Sequence, residues 1–220
     1  MKKLTALFLT LCLIACASSS SPQQENLTAK DYARLGIQAE ERQDYNEALY
    51  LYSKSCQKGS ADACFVAGVL FYEGKITEEK NHIKALPYFT QACNSSQPAA
   101  CHGLGNIYRI GNGVEPNYQK SVQFYQKACN LNYYDGCTNL GTMHLTGLGV
   151  EQNSEKANSF FIKACQGKSN VGCFHLAQSY EIGMGVKKQL STAREYYSKA
   201  CDLGLQQGCD KYNSMKQQGI

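Results

Sequence analysis

Ten cysteines, Cys56 and Cys64, Cys93 and Cys101, Cys129 and Cys137, Cys165 and Cys173, Cys201 and Cys209, fall in five pairs whose members are eight positions apart. Successive pairs begin 37, 36, 36 and 36 residues apart. A fixed period of this length belongs to helical-hairpin repeats, units that bury their apolar faces only by stacking on one another. Alternatives built on a single irregular core are excluded at the outset.

Superposing the units on their cysteines shows what each position does. Three and four residues after the second cysteine come Ala67-Gly68, Leu104-Gly105, Leu140-Gly141 and Leu176-Ala177, and seven after it Phe71, Tyr108, His144 and Tyr180. This is helical spacing with a small residue where a neighbour must come close. Each such helix stops at a glycine, Gly74, Gly111, Gly147 or Gly183, the residue that tolerates a left-handed helix end. A second helix runs up to the next cysteine. It is marked by Ala48, Ala85, Ser121, Ala157 and Ala193 and by the pairs Leu51-Tyr52, Tyr88-Phe89, Phe124-Tyr125, Phe160-Phe161 and Tyr196-Tyr197. These stripes read as core. The second unit departs from the pattern: Ile76 replaces a loop glycine and the loop is one residue longer, so a differently shaped turn is expected around Thr77 to Asn81.

Two disulfide connectivities are conceivable. The N-terminal unit keeps Leu35-Gly36 and Ala39 but has Tyr32 where a cysteine is expected and Gln24 eight residues earlier. If each pair bridges locally, all ten cysteines are satisfied and the first unit has no preceding helix to join. Bridges within a repeat, such as Cys64 to Cys93, would orphan Cys56 and Cys209. Local pairing is the consistent solution.

Lys2 and Lys3, followed by an apolar stretch from Leu4 to Ala15, read as a signal peptide over residues 1–15; the stretch is too short to span a bilayer. Leu13-Ile14-Ala15-Cys16 resembles a bacterial lipobox, which makes Cys16 the expected lipid anchor, and Ala17 resembles an outer-membrane sorting signal. Ordinary cleavage among Ala17 to Ser21, giving a periplasmic or secreted protein, is the alternative. Residues 16–27 read as a tether, 28–217 as the repeat domain and 218–220 as a tail. Without Lys2 and Lys3 the chain carries 20 basic against 18 acidic side chains, no electrostatic basis for binding nucleic acid.

Lys127-Ala128-Cys129, Lys163-Ala164-Cys165 and Lys199-Ala200-Cys201, with the G-C-x-x-L-G and G-x-G-V strings, resemble the Sel-one-like subclass of tetratricopeptide repeats. The eight-residue cysteine spacing makes the chain similar to the Helicobacter-type cysteine-rich repeat proteins. The resemblance implies an all-α fold, an α/α solenoid wound as a right-handed superhelix. About five disulfide-stapled helical hairpins would be followed by a terminal helix. Each staple would close a nine-residue loop and stabilise by about 2.5 kcal/mol, in an oxidising compartment.

The same resemblance implies penicillin recognition or β-lactamase activity. A serine β-lactamase needs a serine and a lysine one helical turn apart, plus further elements. Ser55-Cys56-Gln57-Lys58 matches the first element in letters only, at a helix end beside a staple, and Lys168-Ser169-Asn170 lacks the glycine of the last. No catalytic residue is assigned. His82, His102, His144 and His175 occupy different repeat positions and the cysteines form no C-x-x-C cluster, so neither a metal nor a cofactor is expected.

By the family geometry, the first helix of each hairpin lines a concave groove. The groove candidates are Phe65, Val69, Tyr72, His102, Asn106, Arg109, Thr142, Phe174, Gln178 and Glu181. Aromatics, an arginine and amides are the groups that anchor extended peptides. The expected role is an envelope or cell-surface scaffold for a protein or peptide partner, monomeric and touching membrane only through its lipid. A β-lactam hydrolase and a structural envelope lipoprotein are the alternatives.

Overall fold

The computed structural model describes residues 27–76, 80–111 and 113–220. The segment expected to be a signal peptide, Cys16 as the expected lipid anchor, most of the expected tether and residues 77–79 of the longer loop lie outside them. Among the described residues there are eleven helices and no strands: α1 (Ala29–Glu41), α2 (Tyr45–Gln57), α3 (Ala61–Tyr72), α4 (His82–Asn94), α5 (Pro98–Ile110), α6 (Tyr118–Asn130), α7 (Tyr134–Thr146), α8 (Ser154–Gln166), α9 (Asn170–Ile182), α10 (Leu190–Asp202) and α11 (Gln206–Gln217). Each odd-numbered helix from α1 to α9 packs on the helix that follows it, each hairpin packs on the next, and α11 closes the stack against α10. The chain is an α/α solenoid.

Local chemistry fixes the boundaries. The second helices α2, α4, α6 and α8 start at Asp44, Asn81, Asn117 and Asn153, whose side chains accept a hydrogen bond from the backbone three residues on, satisfying a donor that the first turn leaves bare. The first helices α5, α7 and α9 end on Gly111, Gly147 and Gly183, all left-handed. At Gly111 a side chain is excluded twice, by φ and by Pro116, whose Cγ would lie 2.5 Å from an added Cβ. Ile76, the odd residue of the second unit, is half-buried and packs into the cores on both sides of it.

Inside each hairpin one ring does most of the packing. Tyr52, Phe89, Tyr125, Phe161 and Tyr197, all four residues before a staple, are buried. An added Cβ on Gly36, Gly68, Gly105 or Gly141 would lie 2.5 to 2.8 Å from the facing ring, which is why a small residue recurs on the first helix. A second layer, half-buried except for the buried Phe71, stacks Phe71 on Tyr88, Tyr108 on Phe124, His144 on Phe160 and Tyr180 on Tyr196.

Between hairpins run the five local disulfides, with Cα–Cα distances of 4.5 to 4.8 Å. Each ties the last turn of a second helix to the first turn of the next first helix. The residue three after the first cysteine, Gly59, Ser96, Asn132, Lys168 or Gly204, has positive φ in every case. Side chains reinforce some joints: Gln91 Nε2 donates to the Cys56 carbonyl at 3.1 Å and Lys163 Nζ to that of Cys129 at 2.9 Å. The first helix, with no staple before it, is held differently. Tyr32 is buried at the cysteine position, and Ser55 Oγ donates to the Ala29 carbonyl at 2.7 Å.

Candidate functional site

The face carried by the first helices is built on the ring ladder beneath it. Where the ladder ring is a tyrosine, its buried hydroxyl takes a polar partner from the paired first helix. Tyr52 donates to Glu40 Oε2 at 2.8 Å, and Tyr197 donates to Glu181. Where the ring is Phe89 or Phe161, the residue at the Glu40 position is Tyr72 or Leu145, which needs no hydroxyl. Tyrosine and phenylalanine ladder rings alternate from one hairpin to the next.

The middle hairpin assembles the most complete group. Tyr125, fully buried, donates to Asn106 Oδ1 at 2.6 Å and accepts from Arg109 Nε at 3.2 Å. Arg109 is otherwise exposed, and its guanidinium is anchored through Nε to the tyrosine beneath it. A guanidinium edge held this way suits a carboxylate, which it can grip with two parallel bonds. Burial pushes the Tyr125 hydroxyl above its usual pKa, tempered by Arg109, so it remains a neutral donor. His102, one turn before Asn106, lies against Tyr125 and Tyr133 and contacts Asn139 Nδ2 through Nε2 at 2.9 Å. Burial holds its imidazole below the usual pKa, with Arg109 adding to the effect and Asp135 opposing it.

The remaining candidates separate into two groups. Phe65 and Tyr72 share the Phe89 ring, with centroids 5.8 Å away in each case, and Phe174 meets Tyr197 edge-on at 5.3 Å. These present ring area to the face. Val69 packs into the core, Thr142 Oγ1 donates to the Thr138 carbonyl, and Gln178 pairs with His175, so these three are committed within their own helix or core. Glu181 also pairs with Lys211 Nζ at 3.1 Å. Burial raises its pKa, but the bonds from Tyr197 and Lys211 outweigh this and leave it lowered. Glu40, Lys211 and the tyrosine hydroxyls were absent from the sequence-based set. For Glu40 and the hydroxyls the signal was the repeat itself, in which a ladder tyrosine goes with a polar residue at the Glu40 position; Lys211, on the closing helix, has no such register.

Two cavities lie towards the two ends of the solenoid. One of about 400 Å³ lies between α1 and α3, with Ile37, Tyr52 and Val66 in its walls; the other, about 330 Å³, is walled by Phe174 of α9 and by Gln207, Asp210 and Lys211 of α11. The first has a predominantly apolar wall, a place for a side chain of a bound segment.

Ser55 is unsuited to nucleophilic work: it is fully buried and its hydroxyl is committed to Ala29, while Lys58 is exposed with Nζ 5.9 Å from the Tyr32 ring centroid. The four histidines each lie against an aromatic ring. Among the described residues no group of three or more His, Cys, Asp or Glu could hold a metal ion, and no helix is long and apolar enough to cross a membrane.

A family model for the Sel1 repeat matches residues 32–60, 61–96, 98–133, 135–169 and 171–205. A Sel1 repeat protein from Oxalobacter formigenes superposes with a TM-score of 0.80 at 19% identity, covering 91% of this chain and 80% of that one. The protective antigen c5321 of uropathogenic Escherichia coli also gives 0.80, at 26% identity, over 87% of this chain and 42% of that one. Cysteine-rich protein B of Helicobacter pylori is 33% identical over 58% of this chain and 92% of that one, with a TM-score of 0.49. Among curated proteins, cytochrome c oxidase assembly factor 7 of Xenopus tropicalis is 36% identical over 31% of each chain. The ERAD-associated E3 ubiquitin-protein ligase component HRD3B of Arabidopsis thaliana is 34% identical over 34% of this chain and 11% of its own. The chain thus spans about a third or less of the length of these curated relatives.

Proposed function

The chain belongs to the Sel1 repeat family, and we propose that it works as a binding scaffold, taking an extended, carboxylate-bearing segment of a protein partner along the face of its first helices. One observation carries this reading. The buried Tyr125 hydroxyl uses Arg109 Nε and Asn106 Oδ1, leaving the two terminal guanidinium nitrogens and the Asn106 amide nitrogen uncommitted as preorganised donors. Preorganisation lowers the ordering cost of binding. Phe65, Tyr72 and Phe174 supply apolar contacts on either side.

Export belongs to the same proposal, with Cys16 as an acylated N-terminus after removal of residues 1–15. The support is the order of Lys2-Lys3, the apolar stretch and Leu13-Ile14-Ala15, together with five disulfides that need an oxidising compartment. The name of the related c5321, a protective antigen, fits a surface that meets a host. The β-lactam reading has no nucleophile in Ser55, so catalysis is not part of the proposal.

The test is affinity capture from envelope extracts of the source cell, using the wild-type chain, Arg109→Ala and Lys127→Ala. A partner held by wild type and Lys127→Ala but lost from Arg109→Ala supports the groove. Equal retention by all three moves the site elsewhere, and no capture by any favours a structural envelope role.

A further inference from the structure

The five staples are not equally covered. Cys56, Cys64, Cys93, Cys101, Cys129 and Cys137 are exposed by no more than 2%, whereas Cys165 is partly exposed although its partner Cys173 is buried. The loop that the fourth bridge closes also differs in composition. Two residues after the first cysteine, where the third staple has Leu131, it has Gly167, and the Tyr134 ring lies 2.2 Å from where a side chain of that residue would start. Beside the bridge is a cavity of about 260 Å³ lined by Cys165, Lys168, Cys173, Lys199, Asp202 and Leu203.

The charges in that cavity have a sign. Two ammonium groups face one carboxylate, and Lys168 stands where the other staple loops carry Gly59, Ser96, Asn132 and Gly204. Its φ of 65° is a conformation that a side chain without a local hydrogen-bonding group adopts only against its steric preference. The loop is therefore held closed against a local preference. The fifth staple is partly exposed at both Cys201 and Cys209, but each is followed in sequence by an aspartate, Asp202 and Asp210, charges that repel an incoming thiolate.

We propose that Cys165–Cys173 is a thiol–disulfide exchange site whose co-reactant is a small anionic thiol, one carrying carboxylate or sulfonate groups. The thiolate enters the basic cavity and attacks Cys165 Sγ. The Cys165–Cys173 bond breaks, a mixed disulfide forms on Cys165, and Cys173 Sγ leaves as a thiolate. Cys173 sits in the first turn of α9 (Asn170–Ile182), where the partial positive charge of a helix N-terminus favours a thiolate, and it then takes a proton from solvent. A second thiol attacks the mixed disulfide, releasing the oxidised small molecule and leaving both cysteines as thiols. Two small thiols are oxidised and one cystine is reduced. The result is a joint between the fourth and fifth hairpins that can be loosened while the three preceding joints stay closed.

The experiment treats the intact oxidised protein with reduced glutathione, with 2-mercaptoethanesulfonate as a second anionic thiol and with cysteamine as a cationic one. The reaction is quenched in acid and the free cysteines are located by alkylation and peptide mass spectrometry. Cys165 and Cys173 are expected to open roughly tenfold faster than the three inner staples, since access governs exchange rate, with the small thiol trapped on Cys165. The ratio of anionic to cationic rates should fall in a Lys168→Ala, Lys199→Ala double variant, and added salt should lower the same ratio in the wild type. Opening of Cys201–Cys209 first, simultaneous opening of all five bridges, or a rate ratio indifferent to both lysines and salt would overturn the assignment.

Discussion

The ring of Tyr125 lies on the bare Cα of Gly105 so closely that a Cβ there would sit 2.5 Å from both Cδ1 and Cε1. Gly105→Ala should therefore destabilise by about 1 to 3 kcal/mol, as overpacking of a core does, despite alanine being the better helix former. Urea unfolding followed by circular dichroism measures it. In the fifth hairpin Ala177 faces Tyr197, so Ala177→Gly should cost only the intrinsic penalty of roughly 0.5 to 1 kcal/mol.

Arg109→Ala and Phe174→Ala should each weaken a captured partner by about 1 to 3 kcal/mol without changing helix content, the size expected of interface anchors. Lys127→Ala, on a second helix, should do little. Tyr125→Phe is the more discriminating variant, because it leaves Arg109 in place but removes the hydroxyl that aims it. Calorimetric titration should show affinity falling with Tyr125→Phe; unchanged affinity would mean the guanidinium needs no positioning.

The Cys129→Ser, Cys137→Ser double change removes the staple between α6 and α7. A loss of about 2.5 kcal/mol is expected from the loop-entropy relation. Because contacts run between neighbouring repeats, the loosening should stay local, and hydrogen exchange should show faster opening of α6 and α7 than of α1 to α3.

Ser55 donates a hydrogen bond to the Ala29 carbonyl in the first helix, which makes it a fastener between α1 and α2. Nitrocefin turnover by wild-type protein should not exceed that of a mock purification, and Ser55→Ala should leave it there. The same variant should lower the melting temperature. Hydrolysis above the mock that disappears in Ser55→Ala would restore the enzyme reading.

Acid should weaken the middle of the solenoid. His102 is held below the ordinary histidine value of 6.5, first by burial, so the folded state binds fewer protons than the unfolded one just below that value. Stability is therefore greatest above 6.5 and falls as pH drops towards the folded pKa. Thermal melts across this window should show a slope that flattens in His102→Gln, and an unchanged slope would assign the acid sensitivity to another group.

Much of this architecture is legible in the sequence because stacking repeats make every position a repeated measurement. The five ladder rings and the staples could be read from register alone. The polar half of the face was harder to read. Asn106 and Arg109 are visible as a neighbouring amide and guanidinium, but their shared anchor sits nineteen and sixteen residues away on the other helix and belongs to a stripe that reads as core. Thr142 and Gln178 have groove-compatible spacing, yet nothing in the sequence marks that their polar groups are taken up by Thr138 and His175. The cap residues Asn81, Asn117 and Asn153, though in register, mark helix starts that the cysteine alignment had not isolated.

The position of the staples has a mechanical corollary. Each bridge short-circuits the backbone between residues eight apart, so tension applied to the two ends travels through the sulfurs and leaves the connecting loops slack. A hairpin that gives way under load can then lengthen the chain only by the stretch between one bridge and the next, such as that from Cys101 to Cys129. The protein would pay out like a chain of knotted lengths, with a fixed increment at each yield.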